Sequence, residues 1–285
     1  MSPSTVFKKI LHFFLTKIII GIISVVAAVT FIEWYIRPLL DHTSFPFNAK
    51  NIIVSFIESA IALIIYILLF RVYEKRKIRE LNAFGINAAS GFITGLSLQA
   101  LFIFIIFMAG GYTIINVNPA SSVRPAFAAA LTAGFVAEIL IIGIFFRLTE
   151  EKLGTVLTLI IITILFGIFH VNAPGATSLS IASTAVEAGL LIASIFVYTR
   201  SLWAVIFFHF GWDFAEPGIF GGINPGMSID ETLFTSKISG HAMLTGGQTG
   251  PQNSIQALLI CLLISLLLLW FAKRRNNFIN PWWSK

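Results

Sequence analysis

Eight stretches of this chain are almost purely apolar, near residues 10–36, 51–72, 85–109, 125–147, 155–171, 177–199, 201–215 and 253–272. A bilayer core about 30 Å thick takes roughly 20 apolar residues per helix, and most of these runs meet that length. Composition agrees: 57% of the 285 residues are apolar and 11% charged, against about half and a quarter in soluble domains. The sequence therefore predicts an all-α, polytopic membrane protein, with about eight transmembrane helices around a polar cavity. The fifth and seventh runs are short and end in His and Asp, as expected of helices that line a polar interior. The first run, about 27 residues, is too long for the apolar region of a signal peptide. A single cysteine, Cys261, lies inside the last run, so neither a disulfide framework nor a cysteine zinc site is available. The polar stretch 216–252 is too Gly-rich to pack alone.

The net charge of +6 reads as topology, because the basic residues sit in short clusters between the runs. With the N-terminus inside, fourteen Lys and Arg fall on the inner connections, including Arg71, Arg76, Arg79, Arg147 and Arg200. Four fall outside, Arg37, Lys50, Arg124 and Lys237, and Lys17 lies within the first span. The positive-inside rule then places both termini in the cytoplasm. The run Glu74–Glu80 reads as a solvated connection and not as a nucleic-acid patch, since phosphate affinity from five such cations would be weak and salt-dependent. Gly91-xxx-Gly95 and Ala130-xxx-Gly134 supply small faces for close helix packing.

Ionisable side chains in mid-bilayer cost a few kcal/mol each on insertion scales, so each needs a partner or a task. Six stand out: Glu58, Glu138, His170, Glu187, His209 and Asp213. His209 and Asp213 are four residues apart and share one helix face, where the carboxylate can orient the imidazole. Phe166 and His170 have the same spacing, which sets an aromatic wall one turn from the second histidine. Carboxylates and two imidazoles from three helices can activate a water and stabilise the oxyanion formed on its attack at a carbonyl. The same inventory suits a divalent metal such as zinc, although nothing in the sequence requires one. Glu58 and Glu187 have no recognisable partner spacing and read as structural hydrogen-bonders or lining groups. His12 and His42 lie at a span edge or in a loop, and His241 is a weak candidate for substrate contact. Depth sets His170 apart: it lies eighteen residues beyond Lys152, about 27 Å along a straight helix, whereas Glu138 and His209 lie about 14 Å from Arg147 and Arg200. Zinc-helix, nucleophile-elbow and phosphate-loop motifs are missing.

Phe166-Gly-Ile-Phe-His170, followed by His209-Phe-Gly-Trp-Asp213, resembles two motifs of the CAAX protease and bacteriocin-processing (CPBP, Abi-type) family of intramembrane endopeptidases. These are Phe-x-x-x-His and a later His-x-x-x-Asn/Asp. Leu244-Thr-Gly-Gly-Gln-Thr-Gly-Pro251 is similar to the Gly-rich segment some bacterial members carry before their last helix. The resemblance covers roughly residues 125–272, leaving 1–124 as N-terminal helices and 273–285 as a basic cytoplasmic tail. The family's Glu-Glu-x-x-x-Arg motif aligns on Ala137-Glu138 and Ile142, so Ala137 replaces the first Glu and Ile142 the Arg. The resemblance implies a multi-pass protein of the bacterial cytoplasmic membrane that cleaves a membrane-associated peptide or protein, with the bilayer as its other partner. It implies catalytic roles for Glu138 as base or orienter, His170 as its partner, and His209 with Asp213 as oxyanion support. The two replacements leave open a non-catalytic member serving as an immunity factor or membrane scaffold. The buried acids leave open a proton-coupled transporter. Substrate, metal dependence and oligomeric state are not legible.

Overall fold

A computed structural model describes residues 13–221 and 231–284. Lys8, Lys9, His12 and Lys285 lie outside the described residues. Among the described residues six helices are long and apolar enough to cross a membrane: α1 (Phe14–Asp41), α2 (Phe47–Tyr73), α3 (Phe84–Met108), α4 (Ala120–Leu153), α6 (Ser178–Thr199) and α8 (Ile255–Arg274). Between them lie the shorter α5 (Thr155–Phe169) and α7 (Leu202–Phe214), which continues through a wide turn, Ala215–Ile219. The protein is an all-α, multi-pass membrane protein, and α5 and α7 are the fifth and seventh apolar runs. Large side chains such as Ile23, Ile93, Phe104, Ile164 and Leu263 are exposed along these helices. In lipid such exposure carries no hydrophobic penalty, and it is what a membrane-facing surface requires.

Small residues fix the position of α7. A Cβ added at Gly91 would stand 2.3 Å from the Ala204 carbonyl oxygen, and one at Gly95 would stand 2.2 Å from that of Phe208. From the other side, a Cβ at Gly134 of α4 would meet the Ile206 carbonyl oxygen at 2.7 Å. Both predicted small faces therefore hold α7 at backbone contact, between α3 and α4, and any larger side chain would push it away. His209 and Asp213 are thus carried on a rod clamped from two directions.

One end of the bundle is a network of ion pairs. Lys17 Nζ lies 2.7 Å from Glu74, and Arg147 lies 3.5 Å from the same carboxylate. Arg76 pairs with Glu80, Arg147 with Glu151, and Arg200 with Glu150 at 2.6 Å. Burial works against the Glu80 carboxylate, but hydrogen bonds from Arg76 and Tyr66 outweigh it and hold Glu80 below the ordinary carboxylate range. Lys17, expected within the first span, joins the Glu74 cluster because α1 begins only three residues before it.

Away from that network the only sheet among the described residues pairs β1 (Tyr112–Val117) with β2 (Phe234–Ile238), antiparallel, with Tyr112 opposite Ile238. The Tyr112 hydroxyl donates to the Phe220 carbonyl at 2.8 Å. The Gly-rich stretch does not pack alone: it borrows an edge from the α3–α4 connection.

Candidate active site

Three of the buried acids share a backbone feature. Glu138 sits between two π-helical segments, Ala133–Ala137 and Ile139–Phe146, Glu187 lies inside a third, Ala185–Leu191, and Glu216 inside a fourth, Ala215–Ile219. A π turn widens the helix and re-aims the side chains it carries, and such turns concentrate at functional sites. The sequence gives no sign of this, since the apolar residues around each acid are compatible with an ordinary α-helix.

Glu138 is 1% exposed, and its Oε1 lies 2.6 Å from His209 Nδ1, an ion pair across 71 residues of chain. His209 Nε2 faces Asp213 Oδ2 at 3.2 Å, the four-residue pairing read from the sequence. With a carboxylate at each nitrogen, the imidazole donates in both directions, and its plane and position are fixed by two helices. Glu138 is thereby an orienter of His209. Its second oxygen, Oε2, is buried without a hydrogen-bond partner.

His170 caps the C-terminus of α5. Its Nδ1 lies 2.8 Å from the Phe166 carbonyl oxygen. A carbonyl only accepts, so Nδ1 carries the proton and Nε2 is left with the lone pair. The Phe166 ring lies nearly parallel to the imidazole, 12° apart with centroids 6.3 Å from each other, as the spacing of the two residues predicts.

His170, His209 and Asp213 border two adjoining chambers. The inner one, about 290 Å³, is lined by Phe166, His170, Glu187, His209, Trp212 and Asp213, among others. The outer one, about 390 Å³, shares His170, Trp212 and Asp213 and adds an alanine stripe from α4, Ala126, Ala129, Ala130 and Ala133, together with Glu216. Every helix that lines the chambers does so with residues far from its ion-paired end. His170, at the turn that ends α5, lines both chambers, and His209 lines the inner one.

Several lining residues were not singled out from the sequence. Gln252 accepts from Trp212 Nε1 at 2.8 Å, and its own backbone N–H donates to Glu216 at 3.3 Å. Asn253 accepts from Thr184 at 3.0 Å and donates to the Thr249 carbonyl at 2.7 Å. The Gly-rich segment thus forms a strap across the cavity, pinned to α6 and α7. The available signal was two adjacent amides immediately before the Ser254 N-cap of α8. Glu58 is structural: it accepts from the Thr132 hydroxyl at 2.9 Å. His42 is exposed, and His241 accepts from the Met243 N–H at 3.3 Å. Ile142, at the family's Arg position, is buried in the apolar core.

For zinc, the donors are poorly arranged. Among the described residues no three His, Cys, Asp or Glu groups converge to hold a metal ion. Both His209 nitrogens already face carboxylates at hydrogen-bonding distance, so neither is turned outward as a ligand. The described residues as arranged do not fit a zinc site.

The fold and cavity define a multi-pass helical membrane protein with a polar chamber built into its bundle. Residues 119–215, which run from the start of α4 to the end of α7, match the family model described as Type II CAAX prenyl endopeptidase Rce1-like. That match agrees with the motif resemblance. It contains Glu138, His170, His209 and Asp213. No curated protein and no solved structure matches the chain.

Proposed function

We propose that the protein is an intramembrane endopeptidase, with residues 125–272 as its working core and α1–α3 as support. The observation that carries this reading is the convergence of His170, at the end of α5, with His209 and Asp213 of α7 on one chamber. A substrate carbonyl enters through the alanine-lined outer chamber, where small side chains leave room for an extended peptide. His209, held by Glu138, stabilises the oxyanion from its Nε2–H as Asp213 swings aside, and the exposed side of Asp213 gives it room to do so. Asp213 tunes and orients the imidazole, because an ionised carboxylate only accepts hydrogen bonds and has none to donate to an oxyanion. His170 turns its Nε2 to the chamber as a hydrogen-bond acceptor that positions the attacking water.

The test is cleavage in proteoliposomes by the parent and by His170→Ala. Misplacing a reacting group costs about 10²-fold, and a loss of that order is expected. Equal cleavage by parent and variant would remove His170 from the mechanism.

By the positive-inside rule the ion-paired end is taken as cytoplasmic. The residues that line the chamber lie far along their helices from that end, which puts it toward the opposite face. Cys261 is the one cysteine and is buried, so Ala173→Cys, placed at the outer chamber, reports access directly. A membrane-impermeant maleimide is expected to label this variant in intact cells. Labelling only after the cytoplasmic side is opened would reverse the orientation.

A further inference from the structure

One carboxylate in the inner chamber has no assignment. Glu187 of α6 is 7% exposed, its Oε1 has no hydrogen-bond partner, and it lines the chamber with Phe166, His170, His209 and Asp213. A buried carboxyl oxygen without a partner is costly and uncommon, and in a native protein it calls for a role. The local backbone is built to put it there. The π-helical segment Ala185–Leu191 is centred near Glu187, and Gly189 lets α6 approach α5 until a Cβ at that position would stand 2.8 Å from the Thr163 Cα. Close approach of those two helices sets Glu187 beside the His170 end of α5.

The other acids are placed differently. Glu138 Oε2 is also unpartnered, but Glu138 holds His209 Nδ1 through Oε1 and lines neither chamber, and Asp213 faces His209 Nε2. Glu216 lines only the outer chamber and accepts the Gln252 N–H. We infer that Glu187 is the general base that activates the attacking water, working across the chamber from His209. This rests on the proteolytic reading and assigns its missing base. In the step, the water oxygen bonds to the peptide carbonyl carbon while Glu187 takes one water proton. The carbonyl electron pair moves to the oxygen and is stabilised by His209. When the pair returns, the C–N bond breaks, and Glu187 passes its proton to the leaving nitrogen. Charge and protons balance with water as the only co-reactant.

The experiment uses the full chain in phosphatidylethanolamine–phosphatidylglycerol liposomes. The probes are a quenched-fluorescent peptide ending in a farnesylated CAAX sequence and its unprenylated counterpart. Glu187→Gln is expected to lower kcat at least about 10²-fold with little change in KM. Glu187→Ala, which leaves a carboxylate-sized gap, is expected to regain activity with added formate, a rescue that a purely structural role would not give. If Glu187→Gln cleaves within threefold of the parent while His209→Ala is inactive, the base assignment is overturned and the protease reading stands. If folded Glu187→Ala is inactive and formate does not restore it, the base assignment is likewise overturned. If parent and His209→Ala treat both peptides alike, the proteolytic reading fails and this inference fails with it. Should Glu187→Gln not fold, Glu187→Asp replaces it: withdrawing the carboxylate by one methylene should cost at least about tenfold, and an unchanged rate overturns the assignment.

Discussion

His209→Ala is expected to reduce peptide cleavage by at least about 10²–10³-fold, the range seen when an oxyanion donor is lost. It should also destabilise the protein, because Glu138 would keep a buried carboxylate with no counter-group at all. Breaking a buried pair from one side costs roughly 3–5 kcal/mol, and here the carboxylate left behind is 1% exposed. Glu138→Gln separates the two effects. Its amide oxygen can still accept from Nδ1 and hold the ring in place, but it cannot support the imidazolium charge, so a loss of about tenfold is expected with folding nearly intact. Glu138→Ala should fall close to His209→Ala in rate. The double variant should be little worse than either single one, since both remove the same positioned donor. Cleavage assays and detergent melting curves on the four proteins check this. Additive losses would mean that the residues act separately and that the 2.6 Å contact is incidental to the chemistry.

The sequence made the bundle legible for a physical reason. Lipid imposes one dominant constraint, apolar length, and that constraint can be read locally along the chain. The pair His209–Asp213 was legible for a similar reason, because four residues of helix fix its geometry without reference to anything else. The count from Lys152 left the level of His170 open, and nothing local says that it shares a chamber with His209. What could not be read is what lies between helices. Glu138 and His209 are 71 residues apart, and nothing local links them. Treating α4 as an ordinary helix, with adjacent side chains about 100° apart, gives no account of where Glu138 points, because the helix is π-helical on both sides of it. Glu216 escaped notice because the seventh run was closed at residue 215. The wide turn Ala215–Ile219 carries the helix past that boundary and keeps the acid in the wall of the cavity. Gln252 and Asn253 belong to a stretch whose polarity made it look like a loop. Their amides are what tie it down.

Glu150→Ala is expected to lower the stability of the whole bundle by about 3 kcal/mol, with activity falling only as the folded fraction falls. Glu150 is fully buried at the end of the bundle opposite the cavity. It accepts from both terminal nitrogens of Arg200, at 2.6 and 2.9 Å, and from the Thr155 hydroxyl at 2.5 Å. Two helix junctions therefore meet at one carboxylate: α4 to α5 through Thr155, and α6 to α7 through Arg200. The second junction is strained, because Arg200 is a non-glycine residue at φ +53°, in a left-handed region that costs such a residue of order 1 kcal/mol or more. The Arg200 N–H closes on the Phe196 carbonyl at 2.7 Å, and its guanidinium also reaches the Asn277 carbonyl. Removing the carboxylate leaves this cation about a quarter exposed and held by one carbonyl, on a backbone already under strain. Glu150→Gln keeps an acceptor for both Arg200 and Thr155 and loses only the charge, so its penalty should be about half as large. Chemical unfolding in detergent would measure both. If the alanine and glutamine variants unfold together with the parent, the network does not hold α4–α7 in register. The clamp of α3 and α4 on α7 would then have to position His209 and Asp213 by packing alone.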